Sequence, residues 1–284
     1  MHKSSSIRRS VGDRAVGIIR TLFLIIMGVI VVVPFLWMLL TSLMPDSKSL
    51  LVRPFRLPWP PAFQNYAEVF RSQPFGTYFF NSIVTSISAT VLSVMTVVLA
   101  GYAFVFLEFP FKRFLFLLVL GVLMMPSTVA IVSLYVTMSN FHWLDTYWAL
   151  IIPFAADAYG VYLIRQNFTS IPRDFVESAK IDGAGHLRIL FQILFHLAKP
   201  SIIAYTIMAF KWRWNDYFWV LMMTSSREMR TLPVGLVMMR NEDGGTQWQL
   251  IMAATAVVLL PMILFYLFMQ RGFNDQYMVG GVKG

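Results

Sequence analysis

Cysteine is absent from this 284-residue chain, and charged residues are scarce. The lack of cysteine excludes disulfides, thiolate catalysis and cysteine-ligated metal sites. Only 13% of the residues are charged and 57% are hydrophobic, whereas about 25% are charged in an average soluble protein. A soluble domain of this length would need more charged residues to cover its surface. The composition therefore predicts that the lipid bilayer is the solvent for much of the chain.

Sequence signatures of catalysis are also missing. The four histidines, His2, His142, His186 and His196, lack metal-ligand spacing, and we expect an interfacial structural role for the last two. Neither a Gly-x-Ser-x-Gly elbow nor a Gly-x-x-x-x-Gly-Lys-Ser/Thr loop occurs. We therefore expect no metal site, no bound cofactor and no enzymatic activity on this chain. Uphill transport would need energy from an ion gradient or from another subunit.

Six long apolar runs predict an all-α integral membrane protein with six transmembrane helices. A bilayer core about 30 Å thick requires about 20 helical residues. The predicted spans are Leu22–Leu40, Asn81–Val105, Phe114–Phe141, Tyr147–Ile164, Ser201–Thr224 and Leu250–Gln270. An even number of spans places both termini on the same side of the membrane.

The distribution of Lys and Arg predicts the orientation, because cytoplasmic loops carry the excess. With the N-terminus inside, 14 of these residues fall in cytoplasmic segments and 7 in external ones. Residues 1–17 are then a cytoplasmic segment, 18–271 the six-span domain and 272–284 a cytoplasmic tail. Basic inner loops also explain the net charge of +9 without a nucleic-acid partner. The first span lacks a small-residue cleavage site, so we interpret it as a retained anchor.

A polar, charged segment, residues 176–191, interrupts the apolar chain between the fourth and fifth spans. Pro172 predicts a helix start, and Asp174 in the first turn suits the positive end of the helix dipole. Gly183 predicts the end of this helix. The sequence therefore predicts a helix over residues 172–182, about 16 Å long, on the cytoplasmic side.

The middle of this predicted helix has small side chains, Ser178 and Ala179, which would let another surface approach closely. The residues alone leave two interpretations open. The helix could be a rigid knob that docks to a partner, or an amphipathic helix that only covers the end of the bundle.

The order of residues in the segment resembles the cytoplasmic signature loop of ABC importer permeases. That loop reads Glu-Ala-Ala, three residues, Gly, nine residues, Ile-x-Leu-Pro, and this chain has Glu177-Ser178-Ala179, Gly183 and Ile193 at the same spacing. It departs from the pattern at Ser178, Phe195 and His196. We expect Pro200 to supply the bend that the family places at its proline.

Further segments are similar to the second permease of maltose-type, multiple-sugar importers, and the resemblance covers nearly the whole chain. These segments are "NYAEVF" (65–70), "LIRQNFTSIPRDFVESAKIDGAG" (163–185), "WNDYFWVL" (214–221), "TLPVGL" (231–236) and the terminal "GGVKG". Each short motif is weak alone, but their number and order make the match specific.

The resemblance implies a bacterial or archaeal inner-membrane subunit with several partners. These are a second permease, two ATPase subunits that bind ATP and Mg²⁺, and an external solute-binding protein. It implies an ATPase-coupling contact at Glu177, Ser178, Ala179, Asp182 and Gly183. It implies an ATPase-contacting tail at Gly280, Gly281, Val282 and Lys283. It also implies a loop that reaches the binding protein at Asn241, Glu242, Asp243, Gly244 and Gly245.

Charged residues in the fourth and fifth spans are candidates for a solute pathway, because a charge in the membrane normally faces protein or water. The candidates are Asp157, Arg213, Trp214, Asn215, Asp216 and Tyr217. Arg213 and Asp216, three residues apart, could instead form a structural ion pair. Asp157 could pair with Lys211 or Arg213. The amide and aromatic side chains nearby favour the pathway.

One alternative function comes from a different class. An ion-coupled secondary transporter of a small polar solute could also place Asp157, Arg213 and Asp216 within the membrane. Such a transporter usually has more spans and an internal repeat, and this sequence shows no clear repeat. The importer permease is therefore the favoured interpretation.

Overall fold

The computed structural model describes residues 11–46, 58–241 and 246–280. Most of these residues are helical and none of them forms a strand, which confirms the predicted all-α membrane fold. The helices are α1 (Val11–Ser42), α2 (Gln64–Ser72), α3 (Phe75–Phe106), α4 (Lys112–Met124), α5 (Ile131–Asn140), α6 (Tyr147–Ile151), α7 (Ala158–Ser170), α8 (Asp174–Ile181), α9 (His186–Leu197), α10 (Lys199–Trp214), α11 (Phe218–Met223), α12 (Leu232–Met238) and α13 (Trp248–Gly280).

Four segments in the described part of the chain are long and apolar enough to cross a membrane as single spans. They are Val16–Ser42, Phe75–Phe106, Tyr147–Ser170 and Trp248–Gln270. Two further candidates are bent pairs: α4 with Thr128–Asn140, at 93°, and α9 with α10, at 85°. The count reaches six if each bent pair is one span.

The predicted third and fifth spans differ from the structure because neither is one straight helix. The third bends at Pro126, which has no N–H to donate and holds Met125 in an extended conformation (φ −84°, ψ 127°). The fifth begins at Lys199, ends at Trp214 and is followed, after a break, by the short helix α11. Arg213 therefore lies in a last helical turn and Asp216 in the break, not in mid-helix.

The chain divides into two compact units, and the smaller one contains α1. The apolar side chains of α1 are exposed on all sides, as expected for a helix whose surroundings are lipid or another membrane subunit. The carbonyl groups that end α1 are capped by the buried Asn65. Its Nδ2 donates to the carbonyl oxygens of Ser42 and Met44, both at 2.8 Å. This contact gives a structural reason for the asparagine of the "NYAEVF" motif.

The larger unit is built around α3, which packs against α7 and α10. Glycines allow the helices to approach closely. A Cβ atom at Gly160 would lie 2.5 Å from the ring of Tyr205, and one at Gly101 would lie 2.8 Å from the Ile164 side chain. The resulting core includes Val97 and extends to the buried residues of α8 and α9. The polar segment of the sequence is thus packed against the main helical core of this unit.

Candidate functional site

The polar helix α8 covers Asp174–Ile181, two residues shorter at its start and one at its end than the predicted 172–182. Ile171 is extended (φ −79°, ψ 127°), as expected for a residue that precedes proline. Asp174 and Glu177 lie in the first turn and Lys180 in the last. Acidic side chains at the start and a basic one at the end interact favourably with the helix dipole, which stabilises α8.

Gly183 ends α8 in the way that the sequence predicted. Its φ of +76° lies in the left-handed region, which glycine adopts without the clash that a Cβ causes. The N–H of Gly183 donates to the carbonyl of Lys180 (3.0 Å), and that of Ala184 donates to the carbonyl of Ala179 (2.9 Å). These two hydrogen bonds form a Schellman motif, which fixes the direction of the chain after the helix.

One side of α8 is buried in the chain's own core. Val176 is 3% exposed and Ala179 7%, and both belong to the cluster that contains Ile189 and Leu190. The small side chain of Ala179 therefore lets α8 pack closely against α9 of the same chain, and Ala179 is not accessible to a partner. This corrects the interpretation that Ser178 and Ala179 together form the surface for close approach.

The other side of α8 is open. Glu177, Ser178, Lys180, Asp182 and Gly183 are exposed. Three large apolar side chains are exposed beside them: Phe175 at 49%, Ile181 at 86% and Leu187 at 65%. We call this set, residues 175, 177, 178, 180–183 and 187, the docking face. A face that mixes exposed apolar and charged side chains on a rigid helix suits a protein partner.

The segment is tied to α3 by a specific polar contact. The hydroxyl of Tyr102 and Nδ1 of His186 are 2.7 Å apart, and their rings meet edge to face. Tyr102 is 4% exposed and lies near the end of α3. The expected structural role of His186 is confirmed by this contact.

The chain turns sharply where the segment rejoins the membrane helices. Ile189–Leu194 within α9 is π-helical, and Ile189, Leu190 and Leu194 are fully buried. Ala198 then separates α9 from α10, with Pro200 in the first turn of α10 and an angle of 85° between the two helices. Pro200 thus lies at the bend expected from the sequence, since proline is favoured in a first helical turn.

A cavity of about 380 Å³ lies in the larger unit, among α3, α4, α7 and α10. Asp157 and Arg213 both line it, together with Ser93, Ala156 and Trp212. Its volume falls within the range of about 300–1,000 Å³ that is usual for small-molecule sites. The cavity combines charged, hydroxyl and aromatic groups, which suits a polar solute.

A hydrogen-bonded chain connects three elements at this cavity. The hydroxyl of Tyr205 donates to Oδ2 of Asp157 (2.8 Å) and lies 2.5 Å from Oγ of Ser93. Oδ1 of Asp157 accepts from the N–H of Tyr159 (2.9 Å), so the same carboxylate caps α7. The sequence left open a pairing of Asp157 with Lys211 or Arg213. Among the described residues neither ion pair forms, and both carboxylate oxygens of Asp157 accept from the neutral groups of Tyr205 and Tyr159 instead.

Arg213 and Asp216 form the ion pair that their spacing allowed. Nη1 of Arg213 donates to Oδ2 of Asp216 at 2.9 Å, and the two side chains are 21% and 17% exposed. The Arg213 guanidinium also lies 3.4 Å from the ring centre of Phe154. Oδ1 of Asp216 accepts from the N–H of Trp219 (3.2 Å), so this carboxylate also fixes the start of α11.

The other pathway candidates do not line the cavity. Trp214 is 2% exposed, and its Nε1 donates to the carbonyl of Val258 at 3.2 Å, which makes it a core residue. Asn215 bonds back to the carbonyl of Lys211 (2.8 Å), and Tyr217 packs beside the cluster around Trp219. Of the six candidates, only Asp157 and Arg213 line the cavity. Asp216 does not line it but is hydrogen-bonded to Arg213.

Two predicted contact segments fall largely outside the described residues. Glu242, Asp243, Gly244 and Gly245 lie outside them, and Asn241 ends the short 3-10 helix Met239–Asn241. Gly281, Val282 and Lys283 lie outside them as well, and Gly280 is the last residue of α13. These two predictions stay predictions. In the described part of the chain, no group of three His, Asp or Glu side chains could hold a metal ion.

Sequence reasoning missed Ser93, Tyr102 and Tyr205. Each lies within a largely apolar run, and its partner lies far along the chain, from 48 to 112 residues away. A weak signal was available, because an unmatched hydroxyl within a membrane span needs a hydrogen-bond partner. That signal does not identify the partner.

Comparison with known proteins identifies the family. Residues 94–277, more than half of the chain, match the family described as the binding-protein-dependent transport system inner membrane component. The chain belongs to this family. It is therefore a transport permease of the inner membrane and not an enzyme, and the ion-coupled alternative is not supported.

Two named relatives span nearly the whole permease. It is 33% identical over 258 residues to the sn-glycerol-3-phosphate transport system permease protein UgpE of Yersinia enterocolitica, covering 88% of this chain and 92% of the relative. It is 32% identical over 268 residues to the arabinooligosaccharides transport system permease protein AraQ of Bacillus subtilis, covering 93% and 95%. Both relatives are permease subunits of transport systems, as the resemblance of the sequence implied.

A solved structure shares the fold of the permease. It is a chain from the crystal structure of a bacterial ABC transporter involved in the import of the acidic polysaccharide alginate, with a TM-score of 0.82 and 24% identity. The match covers 93% of the permease and 98% of that chain. The fold predicted from the motifs is thus confirmed at the level of the whole chain.

Proposed function

We propose that this permease forms half of the pathway of an ATP-driven importer for a sugar or sugar-like solute, paired with a second permease. Two ATPase subunits, which would bind ATP and Mg²⁺, dock on the cytoplasmic side, and an external binding protein delivers the solute. The observation that carries this proposal is the docking face, since it is exposed on one side of α8 while the other side is locked into the core. The names of the relatives, which concern glycerol 3-phosphate and arabinooligosaccharides, support the solute class.

The buried side of α8 supports a mechanical role for this segment. Closure of the ATPase subunits would press on the docking face, and a rigid helix passes such a push to whatever it is packed against. Val176 and Ala179 transfer it to α9, and the contact between His186 and Tyr102 transfers it to α3. The pathway then changes between inward-facing and outward-facing states by rigid-body movement, with no chemical step on this chain.

The cavity supports the solute pathway. Asp157 and Arg213 offer an acceptor and a donor to hydroxyl groups, and Trp212 offers an aromatic face. We propose that the cavity lines half of the pathway and that Asp216 holds Arg213 in position.

We also propose that residues 241–245 reach the binding protein and that the tail at 280–283 contacts the ATPase subunits.

The absence of cysteine makes the docking face directly testable. A Ser178→Cys variant is co-expressed with the second permease and the ATPase subunits. A short crosslinker that reacts with the thiol at one end and with an amine at the other should join residue 178 to an ATPase subunit. The control is Ser139→Cys, which is also exposed but lies at the end of α5, on the predicted external side.

A crosslink from residue 178 and none from residue 139 is the expected result. Equal crosslinking from both positions, or none from residue 178 in an assembled complex, would refute the docking of α8 to the ATPase.

A further inference from the structure

A second cavity, of about 540 Å³, lies where α3 ends, α4 begins and the second half of α7 passes. Four cationic side chains line it, and one carboxylate, that of Glu108, accompanies them. The cations are Lys112, Arg113, Arg165 and Arg173. None of these residues belongs to the docking face or to the smaller cavity, so the positive charge at this place is not explained by either.

Two of the four cations are held in fixed positions. Nζ of Lys112 donates to the carbonyl of Leu107 (2.6 Å) at the end of α3 and forms a 3.4 Å ion pair with Glu108. The guanidinium of Arg165 lies 3.9 Å from the ring centre of Phe116. Its Nε is buried and has no hydrogen-bond partner. A buried charged donor without a partner is costly, so an anionic ligand at this point would stabilise it.

The other two cations are available for a ligand. Arg113 and Arg173 are exposed, and neither forms an ion pair with a described residue. The carboxylate of Glu108 is 89% exposed, so water screens much of its charge. The cavity therefore has an excess of positive charge with free donors, which predicts an anion such as a phosphate group.

Apart from Thr169, the rest of the cavity wall is apolar. Phe104, Val105, Phe116 and Leu117 line it. Leu117 is 62% exposed and continues into the outer face of α4, where Phe114 is 58% and Leu118 52% exposed. A free inorganic anion would leave this apolar wall uncovered. A ligand with a phosphate at one end and a hydrocarbon chain at the other would cover both parts.

We propose that this cavity binds the headgroup phosphate of an anionic phospholipid, with an acyl chain along Leu117 and the outer face of α4. The position rests on the proposed orientation, which places the end of α3 in the cytoplasmic leaflet. Basic pockets between membrane helices on that side suit anionic headgroups. Arg173 directly precedes α8, so a bound lipid would also hold the start of the docking helix in place.

Binding of phosphatidylglycerol to the purified, delipidated transporter complex tests this directly. Arg113→Gln with Arg173→Gln should weaken binding roughly thirtyfold, at about 1 kcal/mol for each cation removed. The control, Arg20→Gln with Arg188→Gln, removes two exposed cations that lie outside the cavity and should bind as the wild type does. Arg113→Lys with Arg173→Lys should retain most of the binding, which separates loss of charge from misfolding.

Four results would overturn the proposal. One is equal binding by the Gln pair and its control. Another is equal affinity for phosphatidylcholine and phosphatidylglycerol. Inorganic phosphate that displaces the lipid fully at comparable concentration would indicate a free-anion site. If the variant with Arg113→Gln and Arg173→Gln loses its ATPase subunits but still binds the lipid, the cations of the cavity contact a protein partner instead. The crosslink from residue 178 is measured separately from lipid binding and without the Gln substitutions, so the two proposals can fail separately.

Discussion

Tyr205 shows how a single buried polar side chain can organise this permease. Its hydroxyl joins Ser93 of α3 to Asp157, and its ring fills the space that Gly160 leaves free. These contacts therefore fix the positions of α3, α7 and α10 relative to one another at the cavity. Sequence reasoning identified Asp157 as unusual, because a carboxylate in an apolar run is costly. It could not identify Tyr205, because that contact depends on how two helices pack.

The Arg213–Asp216 pair was open to two interpretations, and the structure supports both in part. The ion pair forms, and Asp216 also fixes the start of α11, which is a structural role. Arg213 lines the cavity as well, which is the position that a solute contact needs. Sequence alone could not separate these roles, since both require the same two charges at the same spacing.

We expect Asp216→Asn to destabilise the permease, because it leaves the largely buried Arg213 without its counter-charge. Removal of one member of a buried pair costs about 3 to 5 kcal/mol, and the partial exposure of this pair places the effect at about 3 kcal/mol. Arg213→Gln should lower the melting temperature as well, and the double variant should recover part of both losses. The measurement is the Tm of each purified variant.

Lys211→Gln is the matched control for this cycle, because it removes an exposed cation from the same helix. If Asp216→Asn melts at the same temperature as Lys211→Gln, the pair has no structural role. If both single variants keep their stability but lose solute uptake, the pair serves the pathway instead.

At the scale of the element, α8 was the best predicted part of the molecule. Local rules determine both of its ends: proline near the start, and a glycine with positive φ after the last turn. Its orientation could not be predicted in the same way. Val176 and Ala179 face inwards because α9 returns beneath them, and that return is a tertiary contact rather than a local preference.

The bent helices were predicted less well. An apolar run long enough to span gives no direct information about bends within it. Pro126 was visible in the sequence, but proline is tolerated within membrane helices, as at Pro34 and Pro261, because neighbouring groups satisfy the carbonyl that it frees. Whether the chain bends by a few degrees or by 93° depends on what packs around it.

Two glycines that flank Ala184 offer a matched test of the helix end. Space around both is open, since a Cβ at Gly183 or at Gly185 would meet nothing within 4 Å. They differ in backbone conformation, because Gly183 has a φ of +76° and Gly185 a φ of −73°. Gly183→Ser should cost about 1–2 kcal/mol, and Gly185→Ser should be neutral, since serine is favoured before a helix.

We expect this strain to shift the docking face and to reduce uptake by roughly tenfold in the Gly183→Ser transporter, with normal membrane insertion. Uptake per inserted complex is the quantity to measure, with Gly185→Ser as the reference. Equal uptake by the two variants would contradict a coupling role for the end of α8.

At the scale of the whole molecule, family membership was predictable because several short motifs occur in order along the chain. Their combination is specific although none is specific alone, and the match over residues 94–277 confirms the family. The solute was not predictable. In the proposed assembly one permease supplies half of the pathway. The charged, hydroxyl and aromatic groups that line the cavity suit sugars in general and do not select one solute.

The central proposal is that this permease transports solute only within a complex that another subunit drives with ATP. The most direct measurement compares two kinds of proteoliposome: one with this chain alone, and one with the second permease, the ATPase subunits and the binding protein added. Both ATP hydrolysis and solute uptake are recorded, with and without an imposed ion gradient. We expect neither activity from the chain alone and ATP-dependent uptake from the complete set. Hydrolysis by the chain alone, or uptake driven by an ion gradient, would contradict the proposal.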